Sequence, residues 1–267
     1  MSASGGLRIR PPAVAAQFYP GEADVLCRTV DGLLAATDPD GATAPKALIV
    51  PHAGYVYSGP VAASAYARLR AHGGPIERVV LIGPAHRVAL HGLAVPGVDA
   101  FRTPLGDVPI DAEALQKVLA LPQVCRFDTA HATEHSLEVQ LPFLQRALGR
   151  FRLAPLVAGD ATEDEVAQVL EQLWGGSETL IVVSSDLSHY LDLASARRVD
   201  AETTRAIERL DSHALGYDSA CGRIPIQGLL ACARRHHLRC RALDVRTSGD
   251  TAGPTDRVVG YGAYALE

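Results

Sequence analysis

The stretch KALIV at residues 46–50 runs directly into Pro51 and His52. A short apolar run of this kind, closed by a proline, indicates a β-strand buried on both faces, as in a sheet covered by helices. In open α/β sheets, ligands bind in the crevice beyond the carboxyl ends of the strands. The position of His52 after this run therefore makes it a candidate for a functional site.

Two further apolar runs repeat the arrangement. RVVLIG at residues 78–83 is followed by His86, and ETLIVV at residues 178–183 is followed by Asp186 and then His189. Three strands that each deliver a histidine to the same edge of a sheet predict a metal site or an acid/base site at that edge.

The composition is that of an ordinary globular protein. The 267 residues are 48% hydrophobic and 21% charged, with a net charge of −5, which carries no electrostatic footprint for nucleic acid. The N-terminal MSASGGLRIRPP lacks the apolar stretch of a signal peptide, and no window reaches the apolar length of a membrane span. The five cysteines form no CxxC pair. We therefore expect a cytoplasmic protein with neither nucleic acid nor membrane as a partner.

Strand-like and helix-like patterns alternate along the chain. The predicted strands are 46–50, 77–83, 92–96, 151–157, 178–183, 239–246 and 257–265. The predicted helices are 21–36, 58–69, 112–121, 134–148, 161–174, 193–210 and 224–236. This alternation predicts one α/β domain over 1–267, with a loose lead-in at 1–10 and a mostly parallel or mixed sheet covered by helices on both faces. The site is expected at the strands' C-terminal ends.

Each candidate histidine has a plain structural alternative. His52 lies in PHAGYVYSG, where small residues allow close approach of a ligand, but a histidine in a solvated turn would look the same. His86 lies in GPAHR, and taken alone it could equally cap a loop. The functional interpretation depends on the two occurring together at one sheet edge.

Cys221 precedes the helical stretch GRIPIQGLLACARR. The positive end of a helix dipole there would favour the thiolate, which is the form that binds metal. The alternative is a small buried hydrophobic residue, which is what most free cysteines are.

Polar residues of two other motifs complete the candidate site. In SSDLSHY, Asp186 could fix an imidazole tautomer and His189 could act as general acid/base. In EHSLE, His135 and Glu138 are three residues apart, so on a helix they would share a face. This spacing resembles half of a carboxylate-bridged metal site, although a surface helix face gives it by chance, and we expect the pair to line the pocket or to support the residues that do. Three tyrosines near these motifs could stack on an aromatic substrate or fill the pocket wall. They are Tyr55, Tyr57 and Tyr190.

Several enzyme classes are excluded by missing motifs. The chain has no HExxH, Walker A loop, GxSxG elbow or GxGxxG after a strand. Zinc proteases of the HExxH type, P-loop NTPases, α/β-hydrolases and dinucleotide-binding oxidoreductases are therefore poor candidates.

The motifs together resemble the Memo family from about residue 10 to the C-terminal GYGAY. The resemblance is carried by AVAAQFYPG, PHAGYVYSG, GPAHR, TPLGDVPID, EHSLEVQLPFL, SSDLSHY and CGRIPI, which occur in the family's order. That family is similar to the class III extradiol dioxygenases, non-haem iron enzymes that open catechol rings. The resemblance implies AMMECR1-like and radical-SAM proteins as partners.

The resemblance also implies roles for single residues. His52 and His86 match the two histidine metal ligands, and Cys221 matches the position that replaces the dioxygenase carboxylate ligand. His189 matches the acid/base histidine, and Asp186 lies in a motif that lines the same pocket. A thiolate in place of a carboxylate makes the site softer, so ring opening does not follow automatically.

Three functions are compatible with these residues. The first is a redox metalloenzyme with Fe(II) as the expected metal, copper or zinc as alternatives, and a small-molecule substrate. The second is a module that binds a metal ion or a peptide without turnover. The third is a zinc hydrolase with a metal-bound water.

Overall fold

The computed structural model describes residues 6–39, 44–72 and 76–267. Its strands are β1 (Ile9–Arg10), β2 (Ala47–Val50), β3 (Arg78–Pro84), β4 (Leu93–Val95), β5 (Ala100–Thr103), β6 (Gly106–Pro109), β7 (Val124–Arg126), β8 (Arg152–Ala158), β9 (Thr179–Ser184), β10 (His189–Leu191), β11 (Cys240–Thr247) and β12 (Val258–Leu266). Its α-helices are α1 (Ala23–Ala35), α2 (Tyr55–His72), α3 (Ala112–Val118), α4 (Asp128–Ala132), α5 (Leu141–Leu148), α6 (Glu163–Leu173), α7 (Leu193–Glu208), α8 (Arg223–Arg235) and α9 (Ser248–Thr251). Short 3₁₀ turns occur at Glu138–Gln140 and Ser212–Ala214.

The central sheet is mixed, as predicted. Its order is β10-β12-β2-β9-β3-β8-β4-β7, with β11 on β12. The core of this sheet is parallel: β2 pairs with β9, β9 with β3, and β3 with β8. The strands β10, β11 and β12 add an antiparallel flank, and β4 runs antiparallel to β8. The three strands whose ends carry the candidate histidines are therefore immediate neighbours.

Side chains of the central strands point alternately to the two faces of the sheet, so the core consists of two layers. On β2, Leu48 and Val50 face one cluster of buried residues, whereas Ala47 and Ile49 face the other. Residues of α1, α2 and α5 pack in the first cluster, and residues of α6 and α8 pack in the second. Since side chains on a strand alternate between its faces, strands apolar throughout require helices on both sides. The predicted covering of both faces is confirmed.

The N-terminal segment is more ordered than predicted. Residues 1–5 lie outside the described part of the chain, but Ile9 and Arg10 form a strand rather than a loose lead-in. This strand pairs in parallel with β5, and β5 pairs with β6 in a second, three-stranded sheet. Arg10 is almost fully buried, so the segment is anchored in the protein interior.

Helix α8 approaches α6 closely because it carries Gly228. A methyl group at this position would lie 2.6 Å from Cβ of Val166 and 3.1 Å from the backbone nitrogen of Ala167. Gly32, on the exposed face of α1, has nothing within 4 Å of the corresponding position.

We predict opposite effects of the same substitution at these two glycines. Gly32→Ala should stabilise the protein by about 0.5–1 kcal/mol, the helix-propensity difference. Gly228→Ala should destabilise it by about 1–2 kcal/mol, because overpacking outweighs that gain. Urea unfolding of both variants measures the difference. Equal stabilisation by the two alanines would show that α6 and α8 can move apart at no cost.

Candidate metal centre

The cluster of histidines forms where the parallel strands end. His52 follows β2 by two residues, and His86 follows β3 by two residues. The strand β9 lies between β2 and β3, and its end leads into Asp186. A third imidazole comes from His135, in the bent segment before the 3₁₀ turn at Glu138–Gln140.

Buried hydrogen bonds fix the tautomer of His52. The hydroxyl of Ser184 donates its proton to the carbonyl of Ser136 at 2.6 Å, so towards His52 Nδ1, at 2.9 Å, it can only accept. The amide of Gln140 donates to the same hydroxyl at 2.7 Å and to the carbonyl of Pro51 at 2.9 Å. His52 therefore carries its proton on Nδ1, and its Nε2 presents a lone pair.

Loss of the Ser184 hydroxyl should weaken metal binding. Ser184→Ala leaves His52 Nδ1 without its acceptor, so neither the tautomer nor the ring orientation remains fixed. We expect metal affinity to fall by about 10- to 100-fold, the usual effect of removing such an outer partner. Competition with a chelator measures the affinity, and Ser64→Ala, a half-buried hydroxyl on α2, is the control. Unchanged affinity in Ser184→Ala would contradict the tautomer argument.

Glu134 orients the other two histidines. Its Oε1 lies 2.9 Å from Nδ1 of His86 and accepts from the backbone nitrogens of His135 and Ser136 at 2.9 Å each. Its Oε2 accepts from the backbone nitrogen of His86 at 2.7 Å. Burial alone would raise the pKa of Glu134, but the hydrogen bond from His86 and the backbone donors lower it to about 2. An ionised carboxylate on Nδ1 leaves Nε2 of His86 free to bind a metal ion.

The three imidazoles are suited to hold a metal ion. One nitrogen each from His52, His86 and His135 lies within 4.8 Å of the others. Burial lowers the pKa of His52 well below its usual range and that of His135 to about 4, so both rings are neutral at pH 7. The Nδ1 atom of His135 is buried 3.3 Å from Oε1 of Glu134 but forms no hydrogen bond. Neutral imidazoles with free lone pairs are the form that metals bind.

Cys221 lies beside this cluster as a thiol. Its Sγ is 3.3 Å from Nε2 of His52 and accepts a hydrogen bond from the backbone nitrogen of Asp186, also at 3.3 Å. Burial, with the carboxyl of Asp186 nearby, raises the pKa of Cys221 to about 12. Desolvation thus opposes the thiolate that the dipole of α8 would favour. Metal binding to Sγ would have to displace the thiol proton.

Asp186 and His189 lie in the same cleft. Oδ1 of Asp186 accepts from the backbone nitrogen of His52 at 2.7 Å, and burial raises the pKa of Asp186 to about 7. Nδ1 of His189 donates to the carbonyl of Leu187 at 2.8 Å, so its Nε2 is the basic nitrogen. Desolvation lowers the pKa of His189 below its usual range. Desolvation thus favours the neutral form of His189, which has a lone pair on Nε2.

A local bulge places Tyr190 at the cleft. The pairing of β10 with β12 shifts register between His189 and Leu191, and Tyr190 between them has φ of 60°. The guanidinium of Arg257 lies 4.7 Å from the centre of the Tyr190 ring. Bulges of this kind redirect side chains and occur near functional sites.

The cleft has a volume of about 650 Å³. Eight of the predicted site residues line it: His52, His86, His135, Asp186, His189, Cys221, Tyr57 and Tyr190. Other residues that line the cleft were not predicted, among them the aromatic or charged side chains of Phe18, Arg87, Arg257 and Tyr261. Phe18 lies in AVAAQFYPG, Arg87 in GPAHR and Tyr261 in GYGAY, three segments of the family resemblance, whereas Arg257 lies in no such motif.

Tyr55 and Glu138 were predicted to line the pocket but lie behind its wall. The hydroxyl of Tyr55 is buried and donates to the carbonyl of Val139 at 2.7 Å. Glu138 is fully buried against Arg10, at 2.6 Å. The predicted helix over 134–148 begins only at the 3₁₀ turn, so His135 and Glu138 do not share a helix face.

The fold and the cluster define an α/β protein with a candidate three-histidine metal centre at the carboxyl edge of its sheet. The sequence matches the model of the Memo-like protein family over residues 10–265. The chain belongs to that family.

Relatives extend over nearly the whole chain. A MEMO1 family protein of Aquifex aeolicus is 39% identical and covers 96% of this chain and 98% of its own length. A MEMO1 family protein of Ignicoccus hospitalis is 38% identical and covers 96% of this chain and 97% of its own length. The crystal structure of an uncharacterized protein from Escherichia coli K12 aligns with a TM-score of 0.50 at 15% identity, over 82% of this chain and 98% of that one. This structural likeness supports the fold alone.

Within the described ranges, no helix has both the length and the hydropathy that a membrane crossing requires.

Proposed function

We propose that this protein is a metal-dependent redox enzyme of the non-haem iron type, which oxidises a catechol-like diol with dioxygen. The observation that carries the proposal is the pairing of two features in one cleft. Three imidazoles converge within 4.8 Å, and a fourth, His189, lines the same cavity without belonging to that group. A metal centre with a separate base is the arrangement needed to activate a hydroxylated substrate.

His52 and His86 are the proposed metal ligands, with His135 or Cys221 as the third. A bound Fe(II) would supply open coordination positions for the diol and for dioxygen. Buried outer partners already orient the first two rings, Ser184 for His52 and Glu134 for His86. Such preorganisation is typical of protein metal sites.

His189 is the proposed acid/base. Its Nε2 has a free lone pair, because Nδ1 is held by the carbonyl of Leu187. It would accept the proton of a substrate hydroxyl and later return it to the product. Aromatic rings around the cleft suit a flat substrate, notably Phe18, Tyr57 and Tyr261.

One observation favours a second candidate, a zinc hydrolase. Three histidines with an open fourth position are a ligand set of catalytic zinc. In that case His189 would deprotonate water rather than a diol. A module that binds metal or peptide without turnover would use the same residues but would not need His189.

Metal analysis combined with dioxygen uptake tests the proposal. Protein purified without oxygen should contain close to one iron per chain, and the iron-loaded protein should consume dioxygen with 4-methylcatechol. His189→Ala should keep its metal and lose about 10²- to 10⁴-fold in turnover, the usual contribution of a positioned base. The matched control is His91→Ala, an exposed histidine outside the cleft.

Other outcomes would overturn the proposal. Hydrolysis of an ester supported by Zn²⁺, with no dioxygen uptake by the iron form, would favour the zinc hydrolase. Metal binding with neither activity would favour the binding module.

A further inference from the structure

A second cavity adjoins the histidine cleft. It has a volume of about 750 Å³, and it shares two lining residues with the cleft, His189 and Cys221. Pro84 and Ala85 line it on the side from which His86 enters the cleft. The two cavities therefore meet at the proposed base and beside the metal ligands.

The lining of the second cavity has an apolar part and a positively charged part. Leu191, Val199 and Ile224 contribute the apolar part. Arg198 on α7 and Arg223 at the start of α8 contribute two guanidinium groups, against a single carboxylate in the lining, that of Asp218. This lining is thus positive overall, in a protein whose net charge is −5.

The two arginines differ from those in the described part of the chain that are held by a carboxylate. Arg10, Arg78, Arg102 and Arg146, for example, each contact a carboxylate within 3.0 Å. Among the residues described here, neither Arg198 nor Arg223 forms an ion pair, and Arg223 is held only by the neutral amide of Gln227, at 3.1 Å. Guanidinium groups without an internal carboxylate partner are available to bind the carboxylate of a ligand.

We infer that the second cavity binds the carboxylate-bearing side chain of the substrate, while its reacting end lies against the histidine cluster. This inference rests on the proposed function and narrows its substrate class to diols that carry an acidic arm. The apolar wall contacts the methylene groups of the arm, and Arg198 and Arg223 bind its carboxylate. Binding energy from such a remote group can position the reacting atoms.

Three probes separate the two cavities. The first is 3-(3,4-dihydroxyphenyl)propionate, with a diol and a carboxylate; the second is 4-methylcatechol, with the diol alone; the third is 3-phenylpropionate, with the carboxylate alone. Calorimetry on the metal-loaded protein gives Kd for each. We expect the first probe to bind at least about 10-fold more tightly than the second. A hydrogen bond between its carboxylate and a guanidinium group is expected to lower Kd by about that factor.

The variant Arg198→Gln/Arg223→Gln should abolish this preference and the binding of 3-phenylpropionate. It should leave 4-methylcatechol binding unchanged, which a general loss of structure would not. Arg209→Gln, an exposed arginine at the end of α7 outside the cavity lining, is the control and should behave as wild type.

The outcomes distinguish this inference from the proposed function. Equal binding of the two catechols by the wild type would overturn the inference and leave the proposed function standing. Arginine-dependent binding of 3-phenylpropionate without binding of either catechol would support an anion-binding cavity and overturn the diol chemistry. Failure of all three probes to bind would overturn both.

Discussion

Replacing His86 by alanine is expected to abolish stoichiometric metal binding. The change removes the imidazole of His86, whose Nε2 is the proposed ligand atom. The Nδ1 atom of the same ring is already held by Glu134, at 2.9 Å. It also leaves that carboxylate, buried and ionised, beside the empty position. We expect the loss of affinity to exceed the about 10- to 100-fold that removal of an outer partner causes. Metal content after dialysis, together with chelator competition, measures it.

Two further variants make the result interpretable. His91→Ala removes an exposed imidazole and should keep the wild-type metal content. Glu134→Gln keeps the size of the side chain but removes its charge, so it should give an intermediate loss of affinity. Full metal occupancy in His86→Ala would show that the metal lies elsewhere. Cys221→Ser, measured beside them, tests whether the thiol contributes as well.

Most of the central sheet could be predicted from the sequence because its strands are apolar throughout. The runs at 46–50, 78–83 and 178–183 are buried on both faces, and such strands have few alternatives. The short strands β1 and β5 were not predicted, because Arg10 and Arg102 interrupt their apolar pattern. The strand β6 was not predicted because it begins with Gly106 and Asp107, residues typical of turns. Arg10 is nevertheless buried, since its charge is balanced by a residue 128 positions away.

The candidate site was predictable to the extent that it depends on strand ends. His52, His86 and Asp186 lie where the chain leaves adjacent parallel strands. The third imidazole of the cluster was not predictable as a ligand, because His135 is positioned by an irregular segment held on Glu134. The charge state of Cys221 also depends on its burial and on Asp186, and neither can be inferred from spacing along the chain.

Replacing Glu138 by alanine is expected to destabilise the protein by about 3–5 kcal/mol, the cost of removing one partner of a buried ion pair. Its carboxylate lies 2.6 Å from Nη1 of Arg10, and both side chains are almost fully buried. It also accepts from the backbone nitrogens of Ala13 and Val14 and from the hydroxyl of Tyr19. The variant leaves a buried guanidinium and three donors without this acceptor. The free energy of unfolding in urea measures the loss.

Matched variants separate the charge from the hydrogen bonds. Glu138→Gln keeps the size and one acceptor oxygen, so it should cost less than Glu138→Ala. Arg10→Met/Glu138→Leu removes both charges and should recover only part of the loss, because the backbone donors and the Tyr19 hydroxyl stay unpaired. Glu113→Ala, in an exposed pair with Lys117, should change stability by less than about 0.5 kcal/mol. If Glu138→Ala cost no more stability than Glu113→Ala, water would have to reach Arg10, and this ion pair would not anchor the N-terminal strand.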